Sequence, residues 1–506
     1  MEKTLFFKKD DFAEKCSKYA FYALVLYFID IILLGTGAIT KIGFFSTRTF
    51  FFGMAGLLSL PAIFRDYKKL LKKPSVLFVI AFFVWMLIGM VRGIATGNEM
   101  PIIKSDVLGY TNLLLLPTML VVLNSEERII SLMRAIAYSC SGVAVIAMVF
   151  SYYTFFPHRD DFRHFLTDQG LCALSGMTSV AVRVFLHTGT RYMFIGFLFA
   201  FFFLLGAVEK KENKTAIHWC GIMALDIVAI FLSYTRAIYA AVALVSIAAF
   251  IYIAINKKEL VKKMLLGFAA SAACAAILLT VIGLSQGQPL LKISFYRILL
   301  STDLPITSTS GGGGGWFSSE DAEQFATIVE DVTTSGEIRS IKLNLLSESI
   351  ARDPIFGNGL GVRIDPTKYT SDPKLLKAFE SGYVEYFYHD VINKLGLVGL
   401  ALYAAPFVLV GTETLRRRKS DDLLLSTATF AGIAYFFCIA YFNPCMNTTV
   451  GISYYLTSIA ILDFLKTRAE EQDPTAQNGK QDNFFSRIFK TPAESTAEKI
   501  PEGDDK

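Results

Sequence analysis

Apolar stretches of about 20 residues recur along nearly the whole chain, and no other feature constrains its fold as strongly. A helix of about 20 residues crosses about 30 Å of hydrocarbon, because each residue adds about 1.5 Å. Hydrophobic residues make up 53% of the chain and charged residues 18%, whereas charged residues are about a quarter of a typical soluble domain. A soluble protein with a large core would show amphipathic stripes instead. The sequence therefore predicts an all-α polytopic membrane protein.

About twelve transmembrane helices are predicted, nine within residues 1–284 and three within residues 391–465. They lie near residues 19–38, 49–64, 75–91, 107–123, 129–151, 191–208, 216–233, 237–255, 264–284, 391–410, 423–442 and 450–465. The second of these spans is short enough to be tilted or partly re-entrant. A long polar segment, residues 285–390, separates the two groups of spans and comes before the third-last span.

Lys and Arg residues in the short loops predict the orientation, because they concentrate on the cytoplasmic side of a membrane. The basic clusters at residues 8–9, 65–73, 210–211, 257–263 and 416–419 all fall on one side of the span count. Both termini are then predicted to be cytoplasmic, and the segment 285–390 to be extracytoplasmic. The first apolar stretch has no small-residue cleavage site after it, so it is interpreted as a retained span.

The remaining polar pieces are few. The tail at residues 466–506 has the composition of a disordered cytoplasmic extension. In the long outer segment, Ser, Thr and five consecutive glycines at 307–315 cannot hold regular structure. Apolar residues at helical spacing then predict an amphipathic helix at 337–350. Asp353 and Pro354 end this helix, and Gly357, Gly359 and Gly361 predict a tight turn.

The sequence lacks the signature motifs of several enzyme and cofactor-binding classes. It has no Walker P-loop, dinucleotide fingerprint, G-x-S-x-G elbow, H-E-x-x-H motif or zinc-type cysteine spacing. The formal charge of +5 mostly reflects the basic inner loops, so it gives no reason to expect a nucleic-acid partner. Cys172 and Cys445 are the two of seven cysteines predicted outside, and whether they pair stays open.

Charged residues at the outer ends of three predicted spans are the candidate functional residues. Arg191 and Arg236 each stand at the start of a span, and a guanidinium can bind phosphate oxygens in pairs. His389 follows an aromatic run and can exchange a proton near neutral pH. A structural interpretation stays open for each residue, since interfacial arginines often extend to lipid headgroups and a histidine among aromatics often anchors a helix.

Two further groups of polar residues carry alternative interpretations. His158, Asp160, Asp161 and His164 have the residue types of a metal site, but alternating charges in a loop usually mark a solvated helix face. Asp30 and Asp226 lie inside predicted spans, where carboxylates are costly and often functional. They can equally be paired at contacts between helices.

Three segments together resemble the O-antigen ligase and polymerase family of bacterial surface-polysaccharide enzymes. Residues 231–237, with Ser233 and Arg236, are similar to the family's Ser/Thr-x-x-Arg-small element. Residues 339–361 are similar to its Arg…Pro-(apolar)-(apolar)-Gly-x-Gly segment. His389, with the Gly-(apolar)-(apolar)-Gly run at 396–399, is similar to its His-Asn…Gly-x-x-Gly signature. Asp390 stands where the family usually has Asn, so hydrogen bonding beside the histidine is expected to differ.

This resemblance implies an inverting, metal-independent glycosyl transfer on the outer face of the bacterial cytoplasmic membrane. The donor would be an undecaprenyl-diphosphate-linked glycan and the acceptor a glycan or a lipid-linked glycan, with no cofactor. His389 would match the catalytic histidine, Arg236 and Arg191 the arginines that bind the diphosphate, and Arg339 a further arginine of the outer segment. Preorganised cations stabilise the charge that grows on a leaving diphosphate.

The sequence leaves the exact reaction open. A polymerase, a ligase and a protein-glycosylating enzyme would share these motifs. The alternative from another class is a transporter or flippase of lipid-linked glycans, supported by the many spans and by Asp30 and Asp226. No pair of matching broken spans indicates an inverted repeat, and the long outer segment with its histidine favours an enzyme.

Overall fold

The computed structural model describes residues 2–35, 41–42, 45–152, 155, 158–176, 182–287, 290–299, 326–371, 376, 379 and 386–471. The α-helices of these residues are α1 Glu2–Leu33, α2 Thr47–Leu70, α3 Pro74–Ala95, α4 Met100–Tyr110, α5 Leu116–Val122, α6 Glu126–Ser151, α7 Arg159–Asp168, α8 Gly189–Glu209, α9 Asn213–Leu232, α10 Arg236–Asn256, α11 Lys258–Gln286, α12 Leu290–Leu299, α13 Ala326–Ile350, α14 Phe387–Arg416, α15 Leu423–Ala440 and α16 Thr449–Glu471. Short antiparallel hairpins pair β1 (Lys41–Ile42) with β2 (Phe45–Ser46) and β3 (Cys172–Gly176) with β4 (Val182–Leu186).

The all-α polytopic membrane fold is confirmed. Within the described residues, eleven helical segments are long and apolar enough to cross a membrane. They comprise α1 from Asp11, α2, α3, the segment Met100–Val122 that joins α4 to α5, α6, α8, α9, α10, α11, α14 and α15. The second span, predicted to be short, is a helix of 24 residues that contains Pro61.

The twelfth predicted span corresponds to α16. This helix is not among the eleven apolar segments, because it contains many polar side chains. Its residues from Val450 to Leu462 are buried, although several are Ser, Thr or Tyr. A helix surrounded by protein can carry polar side chains if they are hydrogen-bonded. Tyr27 and Ser453 hydroxyls lie 2.9 Å apart, and the Tyr455 hydroxyl donates to the Tyr403 carbonyl at 2.7 Å. The helix continues to Glu471, so the first six residues of the tail predicted to be disordered, 466–471, are helical, and the rest of that tail lies outside the described residues.

Helix α8 is at the centre of the bundle and packs against α6, α9 and α15. The hairpin β3–β4 leads directly into its first turn, where the Leu186 amide donates to the Thr190 hydroxyl at 3.0 Å. The Thr188 hydroxyl donates to the Ile31 carbonyl of α1 at 2.6 Å. These bonds fix the start of α8, and therefore the position of Arg191.

Helix α14 is broken at Gly396, and the predicted glycine turn fills the break. Gly396 has φ +71° and ψ −178°, which is not helical. The Leu397 amide therefore donates to the Pro354 carbonyl at 2.9 Å, and the Asn358 amide donates to the Asn393 carbonyl at 2.7 Å. Gly357, Gly359 and Gly361 all have φ between +78° and +90°, a region that glycine adopts without steric cost. The predicted tight turn is present, and it positions the first turn of α14.

The outer-segment helix is present and longer than predicted. Helix α13 begins at Ala326, and it buries Leu345 and Leu346, in agreement with the predicted apolar face of 337–350. The glycine-rich stretch at 307–315 lies outside the described residues.

Candidate functional site

A cavity of about 400 Å³ lies where the first turns of α2 and α8 meet α4 and the start of α16. Its described lining contains two arginines, one histidine and several hydroxyl or amide groups, and we call it the arginine cavity. The lining residues are Arg48, Leu108, Gly109, Asn112, His187, Thr188, Arg191, Thr448, Thr449 and Val450. No carboxylate occurs in this described lining.

The two arginines of the cavity are held by neutral groups. The Arg191 guanidinium lies 5.9 Å from the centroid of the Phe185 ring. An Arg48 guanidinium nitrogen is 3.5 Å from the Gly35 carbonyl oxygen. Within the described part of the chain, neither arginine forms an ion pair at 4.0 Å or less. The Asp30 carboxylate of α1 accepts a hydrogen bond from the Thr47 hydroxyl and interacts electrostatically with Arg48 at longer range. The cavity therefore presents two positive charges that an anion can approach.

His187 adds a titratable group to this cavity. It lies between β4 and α8, with its ring edge-on to Phe185 at 5.7 Å. Burial lowers the pKa of His187 below its ordinary value, and the nearby positive charges of Arg191 and Arg183 lower it further. The imidazole is therefore neutral at pH 7, where it can either donate or accept a hydrogen bond.

His389 lies in the first turn of α14, half-buried among aromatic rings. Its ring centroid is 5.6 Å from that of Tyr386 and 6.2 Å from that of Tyr441. Its Nδ1 atom is buried and has no hydrogen-bond partner among the described residues. The Tyr386 hydroxyl also donates to the Arg339 carbonyl at 3.4 Å. The backbone of Arg339 in the outer segment therefore lies beside Tyr386, whose ring packs against His389.

Three mostly buried charged side chains form a cluster next to His389, which we call the lysine cluster. They are Asp106, Asp390 and Lys394. The Lys394 ammonium lies 2.8 Å from an Asp106 carboxylate oxygen and 2.8 Å from an Asp390 carboxylate oxygen. The other Asp106 oxygen accepts the Gly361 amide at 2.8 Å. The cluster therefore ties together α4, the glycine turn and α14. Because Leu108 and Gly109 of α4 line the arginine cavity, the same helix connects both regions.

Arg236 is the first residue of α10 and is half-buried. The preceding turn is held by Arg183 of β4, which donates to the Ser233 carbonyl at 3.1 Å and to the Thr235 hydroxyl at 3.3 Å. Strand β4 therefore connects this turn to the start of α8. Among the described residues that line the arginine cavity, Arg236, Arg339 and His389 do not occur.

The other polar residues singled out from the sequence do not form a common site. His158 and Asp161 are 3.9 Å apart on an exposed helix, and no group of three or more His, Cys, Asp or Glu side chains suited to a metal occurs in the described residues. Cys172 and Cys445 are both free thiols. Burial raises the pKa of each to about 12, so neither thiol ionises at neutral pH.

No family model matches this chain, and no curated protein matches it. The functional assignment therefore depends on the site itself. Sequence reasoning singled out Arg191 but missed Arg48 and His187, which line the same cavity. Arg48 stands in the first turn of a span after Ser46, whose hydroxyl caps α2 by accepting the Thr49 amide at 3.2 Å. The sequence therefore offered a reason to select Arg48, because Arg191 likewise lies in the first turn of its span.

Proposed function

We propose that this protein is a membrane glycosyltransferase that transfers a glycan from an undecaprenyl-diphosphate carrier to a hydroxyl acceptor, as a polymerase or ligase of surface polysaccharide. The arginine cavity is the observation that carries the proposal. Two guanidinium groups that line one cavity and form no close ion pair among the described residues suit the oxygens of a diphosphate. Near hydrocarbon they would strongly stabilise the charge of a leaving diphosphate.

His389 supplies the base in this proposal. One imidazole nitrogen takes the proton of the acceptor hydroxyl, whose oxygen attacks the anomeric carbon. The bond from that carbon to the diphosphate oxygen breaks, and the electron pair stays on the lipid-linked diphosphate. Attack from the face opposite the leaving group inverts the anomeric centre. Arg339, whose backbone carbonyl accepts from Tyr386 beside His389, is proposed to hold the incoming glycan, and Arg236 to contact the diphosphate as it leaves.

The proposed orientation places the start of α14 outside the bacterial cytoplasmic membrane, with both termini inside. A reporter fused after Arg363 is expected to be active outside, and one fused after Lys419 inside. Activity of both reporters on one side would overturn this orientation.

A flippase for lipid-linked glycans is the second candidate function, and one observation favours it. The Asp226 carboxylate in α9 is fully buried, and neither oxygen has a hydrogen-bond partner among the described residues. Carboxyl groups of this kind inside spans serve proton-coupled transport in other membrane proteins. Asp226 lies in a span away from His389 and from the described lining of the arginine cavity.

The glycan profile of a deletion strain separates these functions. Loss of a polymerase leaves single capped repeat units, and loss of a ligase leaves finished polymer on its lipid carrier. Either result supports the proposal. Loss of a flippase leaves units on the cytoplasmic face, and that result would contradict it.

A purified system tests the chemistry. We expect His389→Ala to reduce transfer by about 10²–10⁴-fold while its abundance in the membrane stays at the wild-type level. His389→Asn should not restore transfer, because an amide cannot take a proton at neutral pH. Transfer should continue in EDTA, since the arginines supply the positive charge. Normal turnover by His389→Ala would remove the catalytic assignment, and a requirement for a divalent ion would remove the metal-independent mechanism.

A further inference from the structure

Residues 353–361, the glycine turn with its preceding residues, pack along helix α3, which is long and apolar enough to cross a membrane. The Leu360 amide donates to the Gly89 carbonyl of α3 at 3.0 Å. The Phe356 ring lies further along the same helix, with its centroid 6.0 Å from that of Trp85. Trp85 is the twelfth of the 22 residues of α3. The turn therefore reaches the middle of a helix that is about 33 Å long.

The two residues that lie deepest in this turn are apolar and exposed. Ile355 is 52% exposed and Phe356 is 49% exposed. Their neighbours on the spans are exposed apolar side chains as well, Val84 and Ile88 beside Trp85 on α3 and Leu397 on α14. In a membrane the exposed side of a span contacts hydrocarbon. The surface of Ile355 and Phe356 therefore continues the lipid-facing surface of α3.

The polar side chains of the turn are paired within the protein. The Asp353 carboxylate lies 2.6 Å from the Arg92 guanidinium. The Asn358 side chain donates to the Ser349 carbonyl at 2.8 Å. Arg92 is about 10 Å nearer the end of α3 than Trp85, at about 1.5 Å per residue. The charged pair therefore lies near the end of the span, where charge is tolerated, and the apolar residues lie deeper.

The backbone of the turn is hydrogen-bonded in the way that a membrane interior demands. Each backbone N–H from residue 356 to residue 361 donates to a protein group, and the acceptors are, in order, the Asp353 carboxylate at 3.0 Å, the Asp353 carbonyl at 3.0 Å, the Asn393 carbonyl at 2.7 Å, the Lys394 carbonyl at 3.1 Å, the Gly89 carbonyl at 3.0 Å and the Asp106 carboxylate at 2.8 Å. At the break in α14, the Leu395 carbonyl accepts from the Trp85 indole at 2.8 Å. Irregular backbone is stable at membrane depth only where the protein supplies such partners, whereas a turn in water can use the solvent.

We propose that residues 353–361 form a re-entrant loop, which enters the membrane at the Ala95 end of α3 and leaves at the same end. Its tip, Ile355 and Phe356, binds lipid acyl chains. A partner protein is the other possible occupant of such a surface, but continuity with the lipid-facing side of α3 favours lipid. The loop anchors the segment before α14 to the bilayer and holds the turn in the break of that helix. This role is independent of glycosyl transfer.

Photocrosslinking to lipid tests this loop in the full-length protein. A benzophenone amino acid takes the place of Phe356, where it keeps an aromatic ring, in vesicles of phosphatidylethanolamine and phosphatidylglycerol with a trace of phospholipid that is alkyne-tagged on one acyl chain. The same amino acid at Leu87, exposed on α3, is the positive control, and at Thr367, exposed beyond the turn, the negative control. We expect the lipid adduct at Phe356 to match that at Leu87 and to be lost at Thr367. A yield at Phe356 as low as that at Thr367, or a crosslink to another protein in native membranes, would overturn the proposal.

Thiol modification gives a second measurement on smaller substitutions. Phe356→Cys and Thr367→Cys are treated in intact membranes with a charged methanethiosulfonate, and peptide mass spectrometry locates each adduct among the native cysteines. We expect Phe356→Cys to react about tenfold or more slowly than Thr367→Cys, because hydrocarbon excludes the charged reagent and disfavours the reacting thiolate. The two should react alike after denaturation in SDS. Equal rates in intact membranes would refute the re-entrant loop and leave the proposed function standing, since neither measurement uses turnover.

Discussion

The arginine cavity and the lysine cluster lie at the same end of the bundle and share helix α4, but their basic side chains have different partners. Lys394 is held between two carboxylates, Asp106 and Asp390, each within 2.8 Å. Arg48 and Arg191 line an open space of about 400 Å³, and in the described residues neither is in an ion pair. The protein thus neutralises Lys394 with its own carboxylates, whereas Arg48 and Arg191 form no close ion pair among the described residues.

This difference distinguishes a charged side chain that stabilises the fold from one that is able to bind a ligand. A buried cation with two carboxylate partners fixes the chain, and here it fixes the glycine turn against α14. A cation that faces a cavity and is held only by a ring or a carbonyl remains able to bind a ligand. Sequence hydropathy cannot make this distinction, because Lys394, Arg48 and Arg191 all appear as single charges near the ends of apolar stretches.

The largest effect is expected in the lysine cluster. Lys394→Met removes the cation and leaves two buried carboxylates facing each other, which should destabilise the folded protein by about 3–5 kcal/mol. We expect little folded protein in detergent, as measured by thermal unfolding and by size-exclusion chromatography. The triple variant Asp106→Asn, Asp390→Asn, Lys394→Met should recover much of the loss, because no unpaired charge remains. A stable single variant would show that the cluster does not hold the fold.

In the arginine cavity, the expected effect is on activity and not on folding. Arg191→Lys keeps the charge but loses the planar fork of the guanidinium, so transfer should fall by about 10²–10³-fold, as when an oxyanion donor is removed. Arg236→Lys is the comparison, and we expect a smaller loss because Arg236 lies outside the described lining of the cavity. The opposite ranking in a transfer assay, at equal abundance, would move the anion site to the start of α10.

Gly359 of the glycine turn and Gly97, just after α3, give a matched pair for testing how tightly the turn packs against α3. Gly359 has φ +90°, and an added Cβ would lie 2.5 Å from the backbone nitrogen of Gly93. Gly97 has φ +82° with open space around it. Gly97→Ala should therefore cost only the strain of a positive φ, about 1–2 kcal/mol, and Gly359→Ala clearly more. Equal thermal unfolding of the two variants would show that the turn is not packed against α3.

The smallest effect is expected from Asp390→Asn, which introduces the residue usual at this position in the family whose motifs the sequence resembles. Lys394 keeps Asp106 as its partner, and the amide oxygen can still accept from the ammonium. The change should be about 1 kcal/mol or less, the net scale of one hydrogen bond, with transfer activity close to wild type. A large loss of activity at unchanged stability would indicate that the Asp390 carboxylate acts on His389 directly.

The sequence predicts the spans well and the site only in part, and the reason is the range of the interactions. Spans such as α3 and α11 are local apolar stretches, so their composition suffices. The turn at Gly357 was predicted from its glycines, but the break at Gly396 was not, because it depends on contact between distant segments. Arg48 also stands near the start of a span, but only the fold shows that it lines the same cavity as Arg191. Helix α16 was predicted correctly as a helix, but its polar residues made sense only once it was seen to be buried.

Binding of a short isoprenoid diphosphate to the purified protein tests most directly whether the arginine cavity is an anion site. Wild-type protein in detergent should bind it, and each of Arg48→Gln and Arg191→Gln should weaken binding by about 10–100-fold, the scale of a charge-assisted hydrogen bond. Arg363→Gln is the control, because Arg363 is exposed beside Glu99 at 3.4 Å, and it should bind as wild type does. Unchanged affinity in both cavity variants would contradict the account, since the open cations would then have no ligand to hold.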